Sequence, residues 1–196
     1  MTTDKPRGRG RPRCFDPEEA VATAQHLFHA RGYDGVSVAD LTAALGINPP
    51  SFYAAFGSKA GLYARVLTRY NDINAVPLAS LLRGDRPVSE CLTAVLEEAA
   101  QYYAADPKAA GCLVLEGVRS ADRDAREAAL AYNLGAEGVI RDYLAVRCPD
   151  QAVELTDFVS TTMSGLSAKA RTGHGLDQLL ATARLAGLAV AQACSS

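Results

Sequence analysis

The sequence predicts an all-α protein, in which a group of short helices is followed by a body of longer ones. Apolar residues recur at helical spacing along most of the chain, and no segment alternates as a strand would. Glycine and proline stand at the points where helices should begin or end. Apolar residues make up 48% of the 196 residues and charged residues 21%, which is the composition of a globular protein.

The first two predicted helices have clear start and stop signals. Asp16 can cap the first, and Gly32 is predicted to end it as a left-handed C-terminal residue. Ser37 and Asp40 form a capping box for the second, which Gly46 ends. These signals predict one helix over about 17–31 and a shorter one after Ser37.

The third predicted helix begins at Pro50, because a proline disfavours helical backbone at the residue before it, here Pro49. Phe52 and Phe56 are four residues apart and should both face inward, which leaves Tyr53 on another face. The fourth helix starts after Gly57-Ser58. Five further helices are predicted after it, over residues 88–105, 106–120, 122–147, 151–171 and 176–194.

Charge is unevenly distributed along the chain. Residues 1–70 carry a net charge of +3, whereas residues 71–196 carry −5. Five cations alternate with glycine and proline between Lys5 and Arg13, in a segment that cannot form a helix. Such a segment is either a solvated tail or an arm whose Arg9, Arg11 and Arg13 contact the phosphates or minor groove of DNA.

Two short helices joined by a turn at Gly46, after a supporting helix, are typical of a helix-turn-helix motif. The second helix of such a pair presents its N-terminal residues to the major groove. Ser37 and Lys59 stand at helix N-termini, where free N–H groups and the helix dipole favour phosphate. With the basic arm, these features predict a DNA-binding head.

Other classes of protein lack their expected signals. The three histidines are scattered, and there is no phosphate loop, nucleophile elbow or HExxH motif, so we expect no enzyme. The five cysteines form no CxxC pair or Cys/His cluster, and we expect neither a metal nor a cofactor. Neither a secretory signal nor an apolar run long enough to span a membrane is present, so we expect a cytoplasmic protein. A nucleoid-type binder without sequence preference is an alternative, although residues 71–196 are acidic and larger than a dimerisation segment requires.

Several blocks of residues resemble those of the TetR family of bacterial transcriptional regulators. They are Gly-Arg-Pro-Arg at 10–13, Ala-Arg-Gly-Tyr at 30–33, Val-Ser-Val-Ala-Asp-Leu at 36–41, Gly46-Ile47-Asn48 and the run 51–59. The resemblance implies a homodimer that binds double-stranded DNA at a palindromic operator, and a small-molecule effector that releases it. It implies a flexible basic arm over 1–13, a DNA-binding domain over 14–58, and a ligand-binding and dimerisation domain over 59–196.

The resemblance assigns DNA contacts to particular residues. Ser37, Tyr53 and Lys59 would contact phosphates, and the residues facing the major groove would be Asn48, Pro49, Pro50, Ser51 and Ala54. The family often has glycine where Pro50 stands, and the two prolines remove two N–H donors from the start of the recognition helix. Asn48 is the side chain best suited to a bidentate base contact, so we expect apolar contacts and DNA shape to contribute to specificity.

The resemblance also implies an effector pocket and a dimer interface in the body. Aromatic rings and polar points on the body helices predict a pocket for a small, mostly apolar molecule, lined by Tyr70, Val95, Tyr102, Tyr103, Cys112, Leu115, Glu116, Tyr132, Asn133, Tyr143 and Met163. Thiol-based redox or electrophile sensing through Cys112 is the alternative mode. Stripes of apolar and small residues on the last two predicted helices indicate the dimer interface, although from the pattern alone they could equally be intramolecular core. The predicted interface residues are Phe158, Thr162, Leu166, Ala181, Leu185, Leu188 and Ala189.

Overall fold

The computed structural model describes residues 16–194 and is all-α over that range, as predicted. It contains the helices α1 (Pro17–Arg31), α2 (Val38–Leu45), α3 (Pro49–Phe56), α4 (Lys59–Ile73), α5 (Leu78–Leu81), α6 (Val88–Ala104), α7 (Leu113–Gly117), α8 (Arg123–Arg147), α9 (Ala152–Arg171) and α10 (Leu176–Ala193). A 3-10 turn over Pro149–Gln151 joins α8 to α9. Between residues 16 and 194 we find no helix whose length and apolar character would let it cross a membrane.

Local capping chemistry sets most helix starts where the sequence predicts them. The Asp16 carboxylate accepts the Glu18 N–H at 2.9 Å and begins α1. Ser37 and Asp40 form the reciprocal capping box of α2, and Gly46 ends that helix in the left-handed conformation. Ser58 Oγ accepts the Gly61 N–H at 2.9 Å and begins α4.

Two predicted details of these short helices are wrong. The third helix begins at Pro49, not Pro50, because both prolines fit the first turn, where a missing N–H leaves no bond unmade. Gly32 ends α1 with φ 72° and ψ 162°, which is not the left-handed helical conformation. This combination of positive φ and extended ψ is a backbone conformation that almost only glycine adopts.

The prediction of one helix over 106–120 is also wrong, because only Leu113–Gly117 is helical there. Gly111 interrupts the segment with φ +80°, and its N–H donates to the Tyr103 carbonyl at 2.9 Å. A Cβ at Gly111 would lie 2.9 Å from the Ser167 carbonyl, so the loop packs its backbone directly against α9. The short α5, which has no side-chain cap, was not predicted.

Two apolar clusters form the core. The first joins α1 to α4 with α7 and the start of α8, and the second joins α6, α9 and α10 with the end of α8. Leu62, Tyr63 and Leu67 of α4 are fully buried in the first cluster, beyond residue 58, where the sequence places the end of the head. The division of the chain at that residue stays a prediction.

Candidate DNA interface and effector cavity

Helix α3 presents one face to solvent and buries the other. Phe52 and Phe56 are buried in the core of the head, as their spacing predicts. The predicted major-groove residues Asn48, Pro49, Pro50, Ser51 and Ala54 are all exposed. Tyr53 is 51% exposed, and its ring packs edge-on against Phe52 at 5.4 Å, which leaves the phenol available to a phosphate. Their roles in DNA binding stay predictions.

Asn48 has a structural function that was not among the predictions from the sequence. Its Oδ1 accepts the Ser51 N–H at 2.9 Å and caps α3, which matters because the two prolines supply no N–H in that turn. The side-chain nitrogen has no partner between residues 16 and 194 and can donate to a base edge. One side chain can therefore both cap the recognition helix and contact DNA.

Ser37 is also exposed, but its hydroxyl is engaged. It donates to Asp40 Oδ2 at 2.6 Å and accepts the Asp40 N–H at 3.1 Å. Arg31 lies 3.2 Å from the same carboxylate, and the bonds from Ser37, with those from Arg31, lower the pKa of Asp40 to about 2. Phosphate contact by the Ser37 hydroxyl would have to replace its bond to Asp40.

Lys59 lies further inside the head than a surface phosphate contact would. Its Nζ donates to the carbonyls of Tyr33 at 3.1 Å and Val36 at 2.9 Å, and lies 3.8 Å from the centre of the Tyr33 ring. The side chain thus joins the start of α4 to the turn between α1 and α2. Arg9, Arg11 and Arg13, predicted to form the basic arm, lie outside the described residues.

A partly open, mostly apolar cavity of about 80 Å³ is lined by residues of the helices from α4 to α9. Seven of the predicted pocket residues line it: Tyr70, Tyr103, Cys112, Leu115, Tyr132, Asn133 and Met163. Other residues, which the sequence did not predict, also line the cavity, among them Ala136, Glu137 and Ile140. These three follow Tyr132 and Asn133 at helical spacing on α8, so that periodicity could have identified them.

Four predicted pocket residues do not line the cavity. Val95 is fully buried in the second apolar cluster, because it faces the neighbouring body helices. Tyr102 faces a different, open groove on the surface. Glu116 pairs with Arg171 at 3.3 Å, and the Tyr143 hydroxyl donates to the Arg83 carbonyl at 3.1 Å.

Cys112 borders the cavity, but its surroundings do not activate the thiol. Burial raises the pKa of Cys112, although the nearby hydroxyls of Tyr70 and Tyr103 act in the opposite direction. A raised pKa leaves little of the nucleophilic thiolate at neutral pH. This environment disfavours reaction with an electrophile or oxidant.

The predicted interface residues lie on an outer face of α9 and α10, with one exception. Leu185 and Leu188 are each 69% exposed, and Phe158, Ala181 and Ala189 are exposed beside them, while Thr162 is half-buried. Leu166 is 1% exposed and belongs to the core of the body, so its assignment to the interface is wrong. It lies on the side of α9 that packs inward.

An exposed recognition helix on a three-helix head, carried by a helical body with a cavity, defines a helix-turn-helix regulator of transcription. Residues 20–66 match the family described as bacterial regulatory proteins, tetR family. The chain is 56% identical over 190 residues to the HTH-type transcriptional repressor BdcR of Escherichia coli, covering 97% of this chain and 96% of that one. The repressor ComR of the same organism is 29% identical over 188 residues, covering 89% and 88% of the two chains.

Solved structures agree with this assignment. A cysteine-substituted form of the TetR family regulator CifR, in complex with 26-bp double-strand operator DNA, superposes with a TM-score of 0.81. It is 32% identical to this chain, with 91% of this chain and 99% of that one covered. The chain therefore belongs to the TetR family. It is a DNA-binding transcriptional regulator and not an enzyme.

Proposed function

We propose that the chain is a homodimeric repressor that binds a palindromic operator in the bacterial cytoplasm and is released by a small, mostly apolar effector. The main support for this proposal is that α4 contacts both the head and the cavity. Its first residue, Lys59, is bonded to the head at Tyr33 and Val36, and its Tyr70 walls the cavity. A molecule in the cavity therefore contacts the same helix that holds the head.

Repression is supported by the relatives. BdcR is named a transcriptional repressor, and the CifR structure contains operator DNA. The exposed face of α3 offers Asn48 for a base edge and Tyr53 for a phosphate. In a two-fold dimer, two such heads would read half-sites related by the same symmetry, which is a palindrome.

Effector release would be a population shift between two spacings of the heads. A ligand changes that equilibrium only by its differential affinity for the two states. The cavity of 80 Å³ is much smaller than pockets that hold drug-sized ligands. It therefore fits a molecule of few atoms, or a larger one that binds better when the walls move apart.

Selection of binding sites from a random duplex library, at about 0.15 M salt, tests the DNA part of the proposal. We expect a palindromic motif to be enriched by the purified full-length protein. Enrichment of a motif without two-fold symmetry would contradict the dimeric mode. Enrichment of no motif would favour the nucleoid-type alternative, in which affinity depends on phosphates alone.

Sedimentation of two matched variants tests the dimer. Leu188→Glu places a charge on the predicted interface and should give monomers, because a buried unpaired carboxylate is costly. Val146→Glu adds the same charge at an exposed position of α8 outside that face and should remain dimeric. If the two variants have the same oligomeric state, the dimer interface lies elsewhere.

Filling the cavity tests the effector site. Ala136→Phe should leave operator binding intact but abolish release by any small apolar molecule that raises the melting temperature of the wild-type protein. Ala145→Phe, at an exposed position of the same helix, is the control and should respond normally. Release that survives in Ala136→Phe would exclude this cavity as the effector site.

Cys112 borders the same cavity, so the thiol-sensing alternative has a separate test. Because burial raises the pKa of the thiol, we expect Cys112→Ser to keep the response to a non-reactive effector. Loss of the response to an electrophile in Cys112→Ser, with the response to apolar molecules unchanged, would instead support the thiol mode.

A further inference from the structure

Arg171, the last residue of α9, bonds the body directly to the DNA-binding head. Its Nη1 donates to the carbonyl of His29 in α1 at 3.1 Å and to the carbonyl of Ala110 at 3.3 Å. Its Nε lies 3.3 Å from Glu116 Oε2 in α7. We propose that Arg171 fixes the position of the head relative to the dimer interface and so determines the half-site spacing that the operator must have. This inference rests on the proposed dimeric mode of DNA binding.

The Arg171 guanidinium suits the end of α1, where it lies. The His29 carbonyl is one of the last four of that helix, which have no partner within it, and a cation there interacts favourably with the helix dipole. The side chains of Arg171 and Glu116 are 23% and 30% exposed, so their ion pair is largely shielded from solvent. A planar guanidinium can hold two carbonyls and a carboxylate at once, which a lysine ammonium does less well.

The loop before α7 is held between the same two helices. A Cβ at Gly111 would lie 2.8 Å from Arg171 Cγ, so the arginine stem packs directly against the loop backbone. His29 Nε2 lies 3.0 Å from the Gly111 carbonyl, which can only accept, so the ring donates. The Cys112 N–H donates to Ser167 Oγ on α9 at 2.9 Å. Thus α1, this loop and the end of α9 form one bonded junction.

Helix α9 also carries part of the predicted dimer interface. Phe158 is exposed on its outer face, and Thr162 follows one turn later. In a two-fold dimer the interface helices are fixed relative to the partner subunit. A direct bond from α9 to α1 therefore transmits the geometry of the interface to the head, and in a symmetric dimer it does so twice.

Other contacts keep the head attached when Arg171 is replaced. Helix α4 runs from the head into the body, and the Asp34 carboxylate accepts the Ser120 hydroxyl and the Ala121 N–H, each at 2.9 Å. These contacts reach α8 and its N-terminal loop, not α9. Substitution of Arg171 should therefore leave the head folded and attached but less firmly positioned.

The spacing of half-sites measures how firmly the heads are positioned. One added base pair moves a half-site by about 3.4 Å and rotates it by about 35° around the DNA axis. Two heads held rigidly cannot follow that change, whereas loosely held heads can. A loss of stability alone would weaken binding at every spacing by a similar factor, so the dependence on spacing separates positioning from folding.

The experiment compares three duplexes, built from the palindrome that site selection recovers. One has the selected spacing, one lacks a central base pair and one has an extra central base pair. Fluorescence anisotropy measures their affinity for the full-length protein. We expect the wild type to bind both altered duplexes more weakly by about tenfold or more, a cost comparable with that of a mismatched base pair.

Arg171→Gln should bind the three duplexes with more similar affinities and keep the base preference within each half-site. Arg171→Lys should resemble it, because the ammonium lacks the planar fork. Since Arg171→Gln leaves the Glu116 carboxylate without its partner, it is expected to lower the melting temperature. The double variant Arg171→Gln, Glu116→Gln removes both charges and provides a folded protein with the same loss of spacing selectivity.

Arg184→Gln is the matched control. Arg184 is also a body arginine in an ion pair, with Glu97 at 2.9 Å, but this pair joins α10 to α6. We expect its spacing selectivity to equal that of the wild type.

Three results would overturn the inference and leave the dimeric repressor standing. They are equal affinity of the wild type for all three duplexes, unchanged selectivity in the Arg171 variants, and an equal loss of selectivity in Arg184→Gln. The last would indicate a general loosening of the body. Recovery of no palindrome in the site selection would instead contradict the proposed function, and this inference with it.

Discussion

The ammonium of Lys59 lies 3.8 Å from the centre of the Tyr33 ring, and it donates to the carbonyl of that same residue at 3.1 Å. Tyr33 in turn packs against Phe28 and Tyr63 in the core of the head. A residue that the sequence places among the phosphate contacts is thus also part of the internal structure of the head.

This geometry predicts that Lys59→Met lowers the free energy of unfolding by about 2 kcal/mol, because hydrogen bonds to a charged group are lost and their acceptor carbonyls are left partly buried. Urea denaturation measures the change. Lys169→Met, at an exposed position of α9, is the control and should stay within about 0.5 kcal/mol of the wild type. Unchanged stability of Lys59→Met with weaker DNA binding would mean that Lys59 acts mainly on phosphate.

The two functions of Asn48 can be separated by substitution. Serine is also a good N-cap, so Asn48→Ser should keep the stability of the head but lose the amide that reaches a base. Asn48→Ala should lose about 1 kcal/mol of stability as well. Site selection should show an altered preference at one base position for both variants. An equal loss on every operator variant would contradict base contact by this residue.

Tyr53→Phe provides the contrasting case. Its exposed phenol is predicted to contact phosphate, which carries no sequence information, so the variant should bind all operators more weakly by a similar factor. Gel-shift titrations on several operator variants would measure this. A change of base preference in Tyr53→Phe would assign the side chain to the groove instead.

Two glycines in the body predict opposite effects of the same substitution. A Cβ at Gly117 would lie 2.7 Å from the Ala129 Cβ and collide with the Tyr63 hydroxyl, so Gly117→Ala should destabilise the fold by about 1–3 kcal/mol. Gly135 lies within α8 with open space around it, and Gly135→Ala should stabilise by about 0.5–1 kcal/mol. Thermal unfolding of both variants checks the signs, and a destabilising Gly135→Ala would show that α8 is packed against something there.

The capping box of α2 predicts a pH dependence. The bonds from Ser37, together with Arg31, lower the pKa of Asp40 to about 2, below its ordinary 3.8. A carboxylate with a lowered pKa stabilises the folded state above its unfolded pKa and loses that contribution as the pH falls through the folded one. The melting temperature of Asp40→Asn should therefore lie below that of the wild type at pH 7, and the difference should vanish between about pH 4 and 2. A difference that persists unchanged at pH 2 would rule out the charge of Asp40 as its cause.

Much of the fold follows from local chemistry. Asp16, Ser37 and Ser58 begin helices because their side-chain oxygens bond to N–H groups two or three residues later. Gly46 ends one because glycine adopts positive φ without strain. Such interactions span a few residues, so the order of residues alone determines them. The blocks that identify the family lie in the same part of the chain.

The interior of the body depends on contacts between distant residues. Gly111 interrupts the helix predicted over 106–120 because it packs against Ser167, which lies 56 positions away in the sequence and on another helix. Leu166 and Val95 both lie on apolar stripes, yet both are buried in the core, away from the predicted dimer interface and from the cavity. Periodicity predicts which residues share a face of a helix, but only the packing of the helices decides what that face meets. The sequence therefore determined the class of protein and the exposed recognition helix, whereas the tertiary structure decided the walls of the cavity and the inward position of Lys59.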